Sequence, residues 1–165
     1  MVKVIGVDPG LADTGIGIIM GTGLTVDSYS FGSISTHKDV SLPVRLDMIY
    51  SQLNQLLKQE APDLMVVEDI FSLARNPKSG ISLGKVTGAI LLAGCHAAIP
   101  VIEIPVREAK KILSGNGNAG KEQLEKSVRY LLKHNSPIRP FHASDALALA
   151  LIGLYRFDTH AFNDK

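Results

Sequence analysis

The chain has no tryptophan and a single cysteine, Cys95, in 165 residues. A lone thiol excludes a disulfide framework within the chain and fits a reducing compartment. Cys95 lies in the apolar stretch from Ile90 to Ile99, where a small core residue is expected. No uninterrupted apolar run approaches the roughly 18 residues of a membrane-spanning helix. Met1 leads straight into the strand-like run Val2 to Val7, without a basic leader or a cleavage signal. A soluble, cytoplasmic protein with no membrane partner is therefore expected. Internal repeats, low-complexity tracts and linkers are lacking too, which argues against a solenoid. Aromatics are scarce, five Phe and four Tyr, so with 45% hydrophobic residues the core must be aliphatic and layered. At this length one domain is expected, over residues 1–157, with a short tail at 158–165.

An excess of either charge is also missing, the formal net charge being +1. Taken as a total, this excludes the strongly basic balance of a non-specific nucleic-acid binder and the acidic one of a solvating tail. Along the chain the charges separate. Residues 71–139 hold eleven Lys/Arg against four Asp/Glu (+7), and the remainder holds six against twelve (−6).

What is present reads as alternating strands and helices. Val2 to Val7, Thr14 to Met20 and Leu24 to Ile34 are apolar or alternating runs separated by Asp8-Pro-Gly10 and Gly21-Thr-Gly23, which predicts an antiparallel meander. Leu42, Leu46, Ile49, Leu53, Leu56 and Leu57 recur every three to four residues, giving a helix that ends near Glu60-Ala-Pro62. A buried strand (63–68), a helix rich in small residues (79–98) and a strand (100–104) follow. A short helix (106–113), a Gly/Asn loop (114–120), a helix (121–134) and a last apolar helix (142–157) complete the chain. Such alternation implies parallel crossovers, and hence an α/β fold with helices on both faces of a mixed sheet.

The loop Gly115-Asn-Gly-Asn-Ala-Gly120-Lys121 matches both G-x-G-x-x-G and part of a P-loop. Either motif needs a buried strand before the loop, whereas an amphipathic helix precedes this one, and Glu122 stands where a P-loop has Ser or Thr. Nucleotide binding is therefore not expected. Free N–H groups at the helix start, with Lys110, Lys111 and Lys121 around them, favour an anion such as a backbone phosphate, although an ordinary helix connection would look the same.

Asp8 closes the first strand and Glu68 the fourth. Carboxylates at buried strand ends are costly unless paired or bound to a cation, which makes the two a candidate metal site. His142 and Asp145, at i and i+3 on the opening turn of the last helix, share one face and add a second pair. Each of the four also has an ordinary role as a cap or surface pair.

Four ordered blocks now make a pattern. Gly6-Val-Asp-Pro-Gly10 with Thr14-Gly-Ile-Gly17, Val67-Glu-Asp-Ile-Phe71, Gly115 to Gln123, and His142-Ala-Ser-Asp-Ala-Leu-Ala148 resemble the bacterial RuvC family of crossover-junction endodeoxyribonucleases, from Val2 to about Leu154. The resemblance implies an RNase H-like fold with a five-stranded mixed sheet. It also implies a homodimeric, magnesium-dependent nuclease that resolves Holliday junctions during recombination and repair. Asp8, Glu68 and Asp145 match the family's catalytic, metal-binding carboxylates. His142 stands where many members have Asp, and is expected to contact a metal, its water or the scissile phosphate. Two Mg2+ per site are expected, with Mn2+ an acceptable substitute. Lys110 and Lys121 match basic residues used in DNA handling. Arg75, Lys78, Lys85, Arg107 and Lys111 are further candidate phosphate contacts. Phe71 matches an aromatic at the junction centre, and a core position capping the sheet is its alternative. The region of Gly84 and Gly88 serves dimerisation in the family, and tight packing of that helix on its own sheet would equally account for both glycines. The implied partners are a four-way DNA junction, a second copy of the chain and the branch-migration proteins RuvA and RuvB. A non-catalytic junction binder, a nuclease acting on another nucleic acid and an actin-like ATPase are the competing readings, the last too long for this chain.

Overall fold

The computed structural model describes residues 1–70 and 77–157, with the backbone alone for 77–79. Five strands form one sheet in the order β3-β2-β1-β4-β5. Strand β1 (Val2–Asp8) pairs antiparallel with β2 (Asp13–Thr22), and β2 with β3 (Thr25–Ser35), so the meander forms as the alternation predicts. Strands β4 (Leu64–Glu68) and β5 (Val101–Ile104) add in parallel on the other side of β1. The sheet is therefore mixed. Helix α1 (Leu42–Glu60) makes the first crossover and α2 (Pro77–His96) the second. Then come α3 (Val106–Ser114), α4 (Lys121–Leu131) and α5 (Phe141–Phe157). Helix α4 ends three residues before the expected His134, and Lys133 adopts a positive φ of 52° just beyond it.

Strand alternation sorts the core into two layers. Ile5, Val7, Ile16, Ile18, Met65 and Val67 face α1 and α2, where the helical stripe Ile49, Leu53 and Leu57 is fully buried. Val4, Ile19, Leu64, Val66 and Ile104 face α5, with α3 and α4 behind it. Because α5 is covered by the sheet on one side and by helices on the other, every residue from Ala143 to Leu154 is buried. A helix that is apolar all round is stable only in such a sandwich.

Three glycines fix how closely α5 lies. A Cβ on Gly6 of β1 would fall 2.0 Å from the Ala146 carbonyl oxygen, one on Gly17 of β2 would fall 2.5 Å from the Leu147 nitrogen, and one on Gly15 would fall 2.0 Å from the His142 carbonyl oxygen. Only strands without side chains at these positions admit the helix backbone. The contact runs diagonally along α5 and ends at its first turn.

Candidate active site

The parity that points Val4 and Gly6 at α5 also points Asp8 there, and Leu64 and Val66 bring Glu68 to the same face. The parallel pairing of β1 and β4 puts both strand ends at one edge of the sheet. Helix α5 begins beside that edge, so His142 and Asp145 arrive next to the two carboxylates. Asp8, Glu68, His142 and Asp145, together with Lys110 of α3 and Lys121 of α4, line one cavity of about 370 Å³, with Pro9, Gly10, Leu83 and Val106 completing its wall. Asp8, Glu68 and Asp145 are only 5–8% exposed.

His142 Nδ1 donates to Asp8 Oδ2 across 2.6 Å, and this hydrogen bond is the main cause of an imidazole pKa above the ordinary value. Burial, followed by a hydrogen bond to Asp8 and the charges of Asp8 and Asp145, pushes Glu68 up to about 9, against the pull of Lys110. Asp145 is raised to about 6, by burial and then by the Asp8 charge, with Lys121, His142 and Lys110 opposing. Among the described residues, no three acidic, imidazole or thiol groups stand in a closed ligand set. Asp8 is engaged instead by His142 and Glu68.

Further side chains hold this arrangement. Thr14 Oγ1 donates to the Gly10 carbonyl (2.8 Å), closing the turn after Asp8. Arg45 of α1 donates to Thr36 Oγ1 (2.7 Å) and to the Leu11 carbonyl (3.1 Å), bracing the same turn. Neither role is visible in hydropathy patterning. The seat that Gly6, Gly15 and Gly17 give α5 is not visible there either, because a glycine adds nothing to an apolar pattern.

The remaining sequence candidates are distributed unevenly. Lys111 and Arg107 lie with Pro105, Glu108 and Ile112 at a second depression, away from the carboxylates. Lys85 is exposed on α2. Phe71 and Arg75 lie outside the described residues, as do the Lys78 side chain and the tail 158–165. The Gly/Asn loop is preceded by a helix, as expected. Gly115 caps α3 in the left-handed region (φ 73°), and Asn118 N donates to Asn116 Oδ1 at 2.9 Å within the loop. On α2, a Cβ at Gly88 would meet nothing within 4 Å, and one at Gly84 only Ile70 at 3.8 Å. Packing on the chain's own sheet therefore does not explain these two glycines. Gly94 does that work, with Met65 and Val101 each 2.6 Å from the position of its Cβ. Cys95 is exposed rather than in the core, because it falls on the outward side of α2 with Gly88 and Leu92.

Comparison with known proteins agrees with this geometry. The family model for crossover junction endodeoxyribonuclease RuvC matches residues 4–153. A protein of that name from Carboxydothermus hydrogenoformans is 37% identical over 154 residues, covering 93% of this chain and 96% of its own. Its counterpart in Pectobacterium atrosepticum is 38% identical over 151 residues, covering 92% and 87%. A solved Thermus thermophilus RuvC in complex with Holliday junction substrate superposes with a TM-score of 0.87 at 28% identity, covering 96% of each chain. The fold is thus the RNase H-like one that the resemblance implies, and the chain belongs to the RuvC family of crossover junction endodeoxyribonucleases.

Proposed function

We propose that this chain resolves four-way DNA junctions by paired, symmetric nicks, as a homodimer that depends on a divalent cation. The observation that carries the reading is the convergence of Asp8, Glu68, Asp145 and His142 in one cavity flanked by Lys110 and Lys121. A scaffold that merely bound junctions would need the cations but not three buried carboxylates beside them.

The donor set fits a hard cation. Burial first, and then the charges of neighbouring carboxylates, raise the proton affinity of Glu68 and Asp145 above the ordinary range. Carboxylate oxygens with an imidazole suit Mg2+ or Mn2+, and Asp8, Glu68 and Asp145 would hold it, with His142 beside them. When bound, the cation supplies positive charge against the scissile phosphate and acidifies an attacking water. Lys110 and Lys121 offset the phosphate's own charge at the cavity mouth and orient it without reading sequence. Since Nδ1 of His142 is committed to Asp8, its Nε2 is the atom that can take or return a proton during hydrolysis. The burial of the carboxylates keeps bulk water from competing for their charge.

Two-fold symmetry in the substrate calls for two copies of the site, and the open face of α2 around Gly84 and Gly88 supports pairing there. The expectation of RuvA and RuvB as partners in the cytoplasm is supported by family membership alone. Among the described residues, no helix is long and apolar enough to cross a membrane.

The test offers labelled four-way junction, linear duplex and single-stranded RNA, each with Mg2+ and with chelator. Symmetric, Mg2+-dependent nicks confined to the junction are expected, and Asp8→Asn should abolish them while junction binding persists. Junction binding without cleavage, or equal cutting of linear duplex, would overturn the reading.

A further inference from the structure

Five arginines lie among the described residues, and their engagements differ. Arg45 is spent on the turn after Asp8, Arg129 pairs with Glu125 at 3.2 Å, and Arg156 pairs with Glu108. Arg107 packs along the Gly/Asn loop, where its Cγ lies 3.3 Å from a Cβ built on Gly117. Arg139 is unlike these. It is exposed, and no carboxylate among the described residues pairs with it. Its guanidinium is nevertheless held in place, lying 4.1 Å over the centre of the Phe141 ring and donating through Nη1 to the Ile138 carbonyl at 2.9 Å.

The anchor beneath it is rigid. Ile138 is fully buried, and its backbone N–H donates to Glu125 Oε1 at 2.9 Å. Glu125, 3% exposed, is fixed in turn by Arg129 on the same helix. Phe141 opens α5, and the next residue is His142, whose ring touches Asp8. A cationic side chain stacked on an aromatic face keeps its remaining N–H groups outward and loses little rotamer freedom on binding an anion. Arg139 does not line the carboxylate cavity. It stands three residues ahead of His142, in the turn between α4 and α5, and its anchor Glu125 lies one turn along α4 from Lys121.

We propose that Arg139 is a positioning residue, which grips a backbone phosphate neighbouring the scissile one and so holds the cleaved strand across His142. The proposal rests on the junction-nuclease reading above. With Lys110 and Lys121 in the cavity and Arg139 outside it, before the first turn of α5, a strand that leaves the carboxylates past that turn would meet a further cation. The carboxylates themselves repel it, so affinity and register must come from these cations. The guanidinium suits a phosphate better than an ammonium would, because its planar fork donates two parallel hydrogen bonds.

The experiment measures binding of a fluorescent four-way junction across a salt series in Mg2+, in an Asp8→Asn background that leaves the DNA uncut. Arg139→Gln should weaken binding roughly five- to tenfold. It should also lower the slope of log affinity against log salt by about 0.9, the share of one phosphate contact. Arg139→Lys should keep the slope and recover part of the affinity. Phe141→Leu should weaken binding with little change of slope, since the charge remains and only its fixation is lost. A merely structural role would move melting temperature and leave the salt slope alone. Unchanged affinity and slope in Arg139→Gln, with the Asp8→Asn protein still binding junctions, would overturn this proposal and leave the nuclease reading intact. No junction binding by any of the proteins would overturn the nuclease reading itself.

Discussion

Glu68 carries a proton that an ordinary glutamate would have released. Its folded-state pKa of about 9 stands far above the usual 4.5, with burial as the first cause and the neighbouring carboxylates behind it. Asp145 follows in the same direction, to about 6 from 3.8. Between the unfolded and folded values the native chain binds protons that the unfolded chain does not, so stability is full at low pH and falls as pH rises. The raised pKa of His142 acts in the same sense, since its stabilising charge is lost on the alkaline side. In chelator, the melting temperature should therefore drop steadily from pH 5 to pH 9. Asp145 has spent its share by about pH 6, so Glu68→Gln should remove most of the decline above that point. A flat profile for the unsubstituted chain, or an undiminished slope in Glu68→Gln, would show that burial does not hold the proton there. Addition of Mg2+ should raise the melting temperature most at high pH, where the carboxylates are free of protons to receive it.

At the scale of elements, the relation between α5 and the sheet decides whether these residues meet at all. Much of this was legible beforehand. The alternation of β1 to β3, the stripe of α1 and the i, i+3 spacing of His142 and Asp145 follow from periods of 2 and 3.6, which hydropathy records directly. Two features were not legible for a common reason. A glycine adds nothing to a hydropathy pattern, so neither the close seat of α5 on Gly6, Gly15 and Gly17 nor the open outer side of α2, with Cys95 on it, could be read from apolar spacing. Long-range contacts such as Arg45 to the turn after Asp8 depend on the crossover through α1 and leave no local trace. The seat of α5 is testable at Gly17, one turn along the helix from the carboxylates. A methyl group there would lie 2.5 Å from a backbone nitrogen that cannot rotate aside. Gly17→Ala should cost on the order of 1–3 kcal/mol, as overpacking does. It should also slow junction cleavage at saturating substrate, because the helix that moves carries Asp145 and His142. A variant with unchanged melting temperature and rate would mean that α5 is not seated as tightly as those distances require.

Over the whole molecule, the near-neutral total conceals an acidic centre within a basic surround, and a second surface that the described residues leave bare. Residues 71–139 contribute +7, including Lys110 and Lys121 at the cavity and Arg139 ahead of α5. The same segment contains α2, whose outward side carries Gly84 and Gly88 between Ile81, 63% exposed, and Leu92, 48% exposed. A glycine inside a helix weakens it by about 1 kcal/mol relative to Ala, and nothing among the described residues needs Gly88 to be small. Two copies of α2 crossing at these glycines would need it, since their backbones could then approach closely with Ile81 and Leu92 sealing the contact. Paired nicking follows from such a dimer, because a two-fold axis through α2 presents two equivalent cavities to the two equivalent strands of a junction. Gly88→Arg separates folding from pairing. The side chain meets open space among the described residues and improves helix propensity, so the melting temperature of the monomer should hold or rise. Sedimentation should show the unsubstituted protein as a dimer at micromolar concentration and Gly88→Arg as a monomer, with the two nicks on a junction becoming uncoupled in time. A monomeric unsubstituted protein, or a dimer that survives Gly88→Arg, would place the two-fold axis elsewhere on the molecule.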